Sequence, residues 1–76
     1  MTTSLIELKP GHSGRVVAVG GKNGSSQRMM AMGLVPGTMV RVERVAPLGD
    51  PIEIRIRGYN LMLRKSEATE ITVQQD

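Results

Sequence analysis

The chain has 76 residues, with ten Lys and Arg against seven Asp and Glu and a net charge of +3, which fits one domain with a thin core. It has no cysteine, so neither a disulfide framework nor a thiolate site can form, and its one histidine, His12, cannot build a His cluster. The longest uninterrupted apolar stretches, Val16 to Val19 and Met29 to Met32, fall far short of the roughly 20 residues of a membrane-crossing helix.

Eight Val and five Ile dominate the apolar set and favour strands, while nine Gly and four Pro supply turns. The entry segment Leu5 to Leu8 stops at Lys9-Pro10-Gly11, where Pro and Gly suit the two central positions of a type II turn. A strand is predicted over Arg15 to Val19, and Gly20 to Gly24 reads as a flexible turn. Gln27 through Met32 are good helix formers, with Ser25 or Ser26 as the expected N-cap. Gly33 suits the left-handed position past the helix end, and Leu34 should fold back on Met29 to complete a Schellman ending.

Pro36-Gly37 forms a second turn, and Thr38 to Val45 a second strand with Val40 and Val42 on one face. Val45 breaks that alternation, which predicts a bulge near Arg44. The loop from Ala46 to Pro51 leads into Ile52 to Arg57, which alternates cleanly over six residues and is the clearest strand in the chain. Gly58 to Asn60 should turn the chain back into a strand over Leu61 to Arg64. Lys65 to Ala68 reads as one helical turn, Glu70 to Val73 as the last strand with Ile71 and Val73 inward, and Gln74 to Asp76 as a frayed tail. The sum is a mainly β fold: a small SH3-like β-barrel of about five strands, with one short α-helix between the first and second. It is expected as a single domain over residues 1–76, with its core running from about Leu5 to Val73.

The residues do not assemble a catalytic constellation: Ser13 and His12 are neighbours in a turn, with no acid placed to complete a triad. The expectation is therefore a non-enzyme with no cofactor and no metal site. Six methionines could suit a soft metal, but their placement in helix and strands favours packing, so a weak metal-binding sensor stays an alternative. Seven arginines and a pI near 10.0 raise a small nucleic-acid-binding or regulatory barrel as a further alternative. Against it, Tyr59 is the sole aromatic and acids are interleaved with the bases, so no nucleic acid is expected as partner. Arg41, Glu43, Glu53, Arg55 and Arg57 form an outward ladder of charges able to pair across antiparallel strands. The Ala46 to Pro51 loop is stiffened by two prolines. It places Leu48 at its tip, and Asp50 can hold the turn through nearby backbone N–H groups.

Several stretches taken together resemble the FeoA family: Met32-Gly33-Leu34-Val35-Pro36-Gly37-Thr38, Arg44 through Ile52, Arg57-Gly58-Tyr59, Leu63-Arg64 and Glu67-Ala68, with Leu8-Lys9-Pro10-Gly11 and Gly14 before them. The resemblance runs from about Leu5 to Val73, departing at Met29, where the family often has Leu after Arg. It implies an SH3-like barrel in an accessory protein of bacterial ferrous iron uptake. The implied partner is FeoB, a membrane transporter with a cytosolic GTP-binding domain whose nucleotide cycle or assembly the protein would modulate. It also implies a cytoplasmic protein, brought to the inner membrane by that partner. For the docking site, local rigidity and expected exposure select Arg28, Met30, Leu48 and Asp50. A thin core and exposed Met surface leave a weak homo-oligomer open.

Overall fold

Alternating isoleucines and valines build the centre of the sheet. In the computed structural model, which describes residues 1–21 and 24–75, the strand Ile52–Ile56 buries Ile52, Ile54 and Ile56 on one side. The strand Met39–Val45 buries Val40 and Val42 against them. In chain order the elements are β1 (Thr2–Ser4), a 3-10 turn at Leu5–Glu7, β2 (Ser13–Val19), helix α1 (Ser25–Ala31), β3 (Met39–Val45), β4 (Ile52–Ile56), β5 (Tyr59–Leu63), helix α2 (Lys65–Thr69) and β6 (Ile71–Gln75). All neighbours in the sheet are antiparallel, in the order β1-β6-β2-β3-β4-β5. The molecule measures 27 × 26 × 24 Å. Leu5, Leu8, Val16, Met29, Leu34, Leu63, Ala68, Ile71 and Val73 complete the core.

Several expectations are corrected here. The sheet is open and not a closed barrel: β1 and β5 are its two edges. There are six strands and not five, so α1 lies between the second and third. The extra strand is Thr2–Ser4, whose polar residues carry no apolar alternation and are recruited by pairing with Thr72, Val73 and Gln74. It is three residues long and passes straight into the 3-10 turn, so it offers β5 no strand of matching length on which to close. Gln74 and Gln75 are not frayed, because that same pairing extends β6 and the Gln75 N–H donates to the Met1 carbonyl at 2.9 Å; Asp76 lies outside the described residues.

The turn chemistry is as the sequence predicts. His12 N–H donates to Lys9 C=O at 3.0 Å across Pro10-Gly11, and Thr38 N–H to Val35 C=O at 3.1 Å across Pro36-Gly37. The bulge is present too: Val42 pairs with Ile54 and Arg44 with Glu53, leaving Glu43 as the extra residue. A second bulge, in β2 at Val17, was not expected. Between β4 and β5 the turn is tighter than expected. Arg57 and Gly58 take φ of 46° and 89°, the geometry of a two-residue type I′ hairpin, so Tyr59 and Asn60 already belong to β5. Of the expected turn Gly20 to Gly24, Lys22 and Asn23 lie outside the described residues.

Helix α1 is seven residues long and needs anchors at its ends. Its start is not capped by a serine hydroxyl. Ser25 is already helical, and Gly24, at φ 80°, is the N-cap, its carbonyl accepting from Arg28 N–H at 3.1 Å. Its end is the predicted Schellman motif: Leu34 N–H donates to Met29 C=O at 3.1 Å and Gly33 N–H to Met30 C=O at 3.0 Å, with Met29 and Leu34 both fully buried. The Tyr59 hydroxyl donates to the Met32 carbonyl, satisfying another group at the helix end. Gly33 is thus constrained twice, by φ of 107° and by the Tyr59 oxygen, which a Cβ would meet at 2.6 Å.

These contacts predict that G33A lowers stability by at least about 1 kcal/mol and Y59F by about 1 kcal/mol. In urea titrations the pair G33A/Y59F should lose less than the sum of the two, because removing the hydroxyl removes the clash. Strict additivity would show that the backbone angle alone sets the cost at Gly33.

Candidate functional site

The loop between β3 and β4 is closed by its own backbone. Gly49 N–H donates to Ala46 C=O at 2.7 Å and Ala46 N–H to Pro51 C=O at 3.1 Å, and the Asp50–Pro51 peptide is cis. This closure holds Leu48 outward at 93% exposure, more than any other large apolar side chain among the described residues. Asp50 does not hold the turn within its own loop. Its Oδ1 accepts the N–H of Lys65 at 3.1 Å, which fastens the loop to the first residue of α2.

On α1, Met29 points into the core and Met30 is 38% exposed. Arg28 is exposed but not free. Its guanidinium is ion-paired with Oε2 of Glu67 on α2, and the side chains are 60% and 10% exposed respectively. Glu67 Oε1 accepts the N–H of Arg64 at 2.9 Å, capping the start of α2. Sequence reasoning missed Glu67; the visible signal was an acid in the first turn of a predicted helix, a position that favours capping. Of the four selected residues, Leu48 and Asp50 share one loop, Met30 lies on α1, and Arg28 serves the contact between α1 and α2.

The charged ladder pairs differently from the simplest register. Arg41 stands directly opposite Arg55, which by itself is unfavourable. Relief comes from neighbours: Arg41 Nε lies 3.3 Å from Glu43 Oε2, and Arg55 donates to the Asn60 side-chain oxygen at 3.3 Å. Glu53 is the best-satisfied acid of the ladder, accepting from Arg44 Nε at 2.6 Å and from Asn60 Nδ2 at 2.7 Å. Those two hydrogen bonds, Arg44 first, hold the Glu53 carboxyl below its usual value of 4.5, and the same contact raises the Arg44 guanidinium. Among the described residues no three His, Asp or Glu side chains converge to hold a metal ion, and no helix is long and apolar enough to cross a membrane.

Two predictions follow from these pairs. R28E sets a second carboxylate against Glu67 and should lower stability by about 1–3 kcal/mol in chemical denaturation, whereas R28K should lose less. A reversal without cost would show the Arg28–Glu67 pair to be idle in solution. For Glu53 the lowered folded value means stabilisation that is full above pH 4.5 and is lost as pH falls through the folded value. The stability gap between the parent chain and E53Q should therefore narrow on acidification from neutral pH. A gap independent of pH would rule out the ionised pair as its source.

Comparison with known proteins places this architecture. The FeoA domain model matches residues 3–75. An Fe(2+) transport protein A/Fe(2+) transporter FeoB fusion protein from Porphyromonas gingivalis is 39% identical over 70 residues, which span 92% of this chain but only 8% of that protein. The solution structure of the FeoA protein from Chlorobium tepidum is 42% identical, covers 96% of this chain and 70% of its own, and superposes with a TM-score of 0.89. The zinc-complexed FeoA of Stenotrophomonas maltophilia, described as a prokaryotic SH3 domain protein, is 27% identical over 97% of this chain and 95% of its own, with a TM-score of 0.83. A manganese-dependent transcriptional repressor shares the fold at a TM-score of 0.89 and 18% identity, covering 99% of this chain and 37% of its own, a likeness of fold alone. With nearly the whole chain matched by the family model and by relatives of this identity, the chain belongs to the FeoA family.

Proposed function

We propose that the chain is a non-enzymatic accessory of ferrous iron uptake that docks on an FeoB-type transporter and modulates its GTP-binding domain or its assembly. The observation that carries this reading is the fusion: a segment 39% identical to this chain occurs in one polypeptide with an FeoB transporter. Covalent joining fixes a high effective concentration of two modules, and it supports a contact between the separate chains as well. The site of action is then cytosolic, at the inner membrane through the partner.

The docking surface combines the exposed side of α1 with the β3–β4 loop. Leu48 supplies an apolar anchor held in place by the loop's own hydrogen bonds, and Met30 an adaptable one. Asp50 orients the loop through Lys65. Arg28 contributes through its exposed edge while holding α1 to α2, so its reversal is not a clean test of docking.

The test is a titration of the isotope-labelled protein with the soluble GTP-binding domain of an FeoB transporter, with and without GTP, read by amide shifts. Shifts should concentrate on α1 and the Ala46 to Pro51 loop, and dependence on GTP would tie docking to the nucleotide cycle. L48E and M30E should each weaken binding. L48E should change stability by no more than about 0.5 kcal/mol, because its side chain makes almost no contact in the free protein. Unchanged affinity in both variants would overturn the site, and an absence of shifts at high concentration would overturn docking on that domain.

A further inference from the structure

We infer that the free edge of β5 is a docking site for an extended, acidic segment of a partner protein, added to the sheet as a seventh strand. The first observation is hydrogen-bond parity. In the hairpin, Ile56 pairs with Tyr59, Ile54 with Leu61 and Ile52 with Leu63 across the two-residue turn. Those are the hydrogen-bonded pairs of an antiparallel ladder, so the alternate residues, Asn60 and Met62, direct their N–H and C=O groups away from β4. Among the described residues these groups have no backbone partner. Two donors and two acceptors thus stand in a row at the spacing of a strand, on an edge that is not covered by another strand.

The second observation is what guards that edge. Edge strands are usually protected by charge, proline or a bulge. β5 reads Tyr-Asn-Leu-Met-Leu: it has no charge and no proline, its register with β4 is regular, and Met62 is 57% exposed. The charges lie at its ends instead, and all are positive. Arg57 precedes the strand, and Arg64 and Lys65 follow it. None of the three is ion-paired among the described residues. The acids nearby are already engaged: Glu53 by Arg44 and Asn60, Glu67 by Arg28, and Asp50 by the Lys65 N–H.

This arrangement selects among occupants. A second copy paired about Leu61 would give the right hydrogen bonds between Asn60 and Met62, but it would set Arg57 against Lys65 at both ends. An extended segment with acids flanking an apolar centre meets basic residues at both ends and Met62, Leu61 and Tyr59 in the middle. Backbone pairing would supply affinity, and the end charges would set direction and specificity. This site borders the β3–β4 loop and the end of α1, through the Lys65 N–H on Asp50 and the Tyr59 hydroxyl on Met32, but its edge groups, Asn60 and Met62, belong to neither, so the two readings are tested by different amides.

The experiment uses the full chain and a blocked synthetic peptide, Glu-Val-Thr-Val-Thr-Val-Glu. Titration should shift the Asn60 and Met62 amides and slow their hydrogen exchange. N-methylating the peptide amides that face β5 should abolish binding, while methylating the alternate set should leave it within about twofold, since only one side of an added strand meets the sheet. The same peptide flanked by Lys should bind about tenfold more weakly or not at all at low salt, and R57E/R64E should reverse that preference. Equal binding of the Glu and Lys peptides, tolerance of both methylation sets, or shifts confined to other elements would each overturn the proposal. So would concentration-dependent protection of Asn60 and Met62 without peptide, which would give the edge to a second copy. Amide shifts by the transporter domain at α1 and the β3–β4 loop, with no effect of the peptide, would overturn this inference and leave the transporter reading standing.

Discussion

A buried carboxylate in so small a core is costly unless it is paired, and Glu67 is held by one hydrogen bond and one ion pair, each to a different helix. One oxygen takes the Arg64 N–H and starts α2; the other takes the Arg28 guanidinium and holds α1. Neither helix, at five and seven residues, is long enough to persist in water without tertiary contacts. From α2 the chain of dependence continues to the N-terminus, where the Ser4 hydroxyl donates to the Thr69 carbonyl at 3.0 Å and β1 is laid alongside β6. Glu67 thus adds a polar tie between two helices that also rest on buried Met29, Leu34 and Ala68, while the central strands are held by their own apolar alternation.

That division explains what could be read from the sequence. The alternation of Ile52, Ile54 and Ile56, the Pro-Gly turns, the Schellman ending at Gly33 and the bulge beside Arg44 are local patterns, each written in a few adjacent residues. The elements that were missed depend on distant partners. Thr2–Ser4 becomes a strand only because Thr72, Val73 and Gln74 are there to pair with it, and Gln75 is ordered by Met1. Asp50 was expected to stabilise its own turn, but its acceptor is satisfied from α2. Closure of the sheet is the same kind of question: nothing in the short-range pattern says whether the first and last edges will meet.

The candidate site divides along the same line. Leu48 was legible because two prolines, a glycine and an aspartate around one apolar residue describe a stiff exposed loop, and the structure places it at the tip. Arg28 was chosen as an exposed helix charge; the helix pattern could not reveal that Glu67 waits across the fold. The lesson is specific to thin cores. Few apolar residues are available, so a long polar side chain such as Arg28 can be exposed and still help to fix a helix.

What unites the β3–β4 loop and the β5 edge is that both are held by hydrogen bonds within the chain itself. The loop is closed by two backbone hydrogen bonds and tethered through Asp50, so Leu48 is presented without the entropy cost of ordering a mobile tip. β5 keeps a regular register with β4, and Asn60 is tied back to that strand from both sides, its amide nitrogen to Glu53 and its oxygen to Arg55. Those side-chain ties use the outward face and leave the edge groups of Asn60 untouched. A partner meeting either surface would therefore find its geometry already set, and its binding free energy would go into contacts instead of into folding the site.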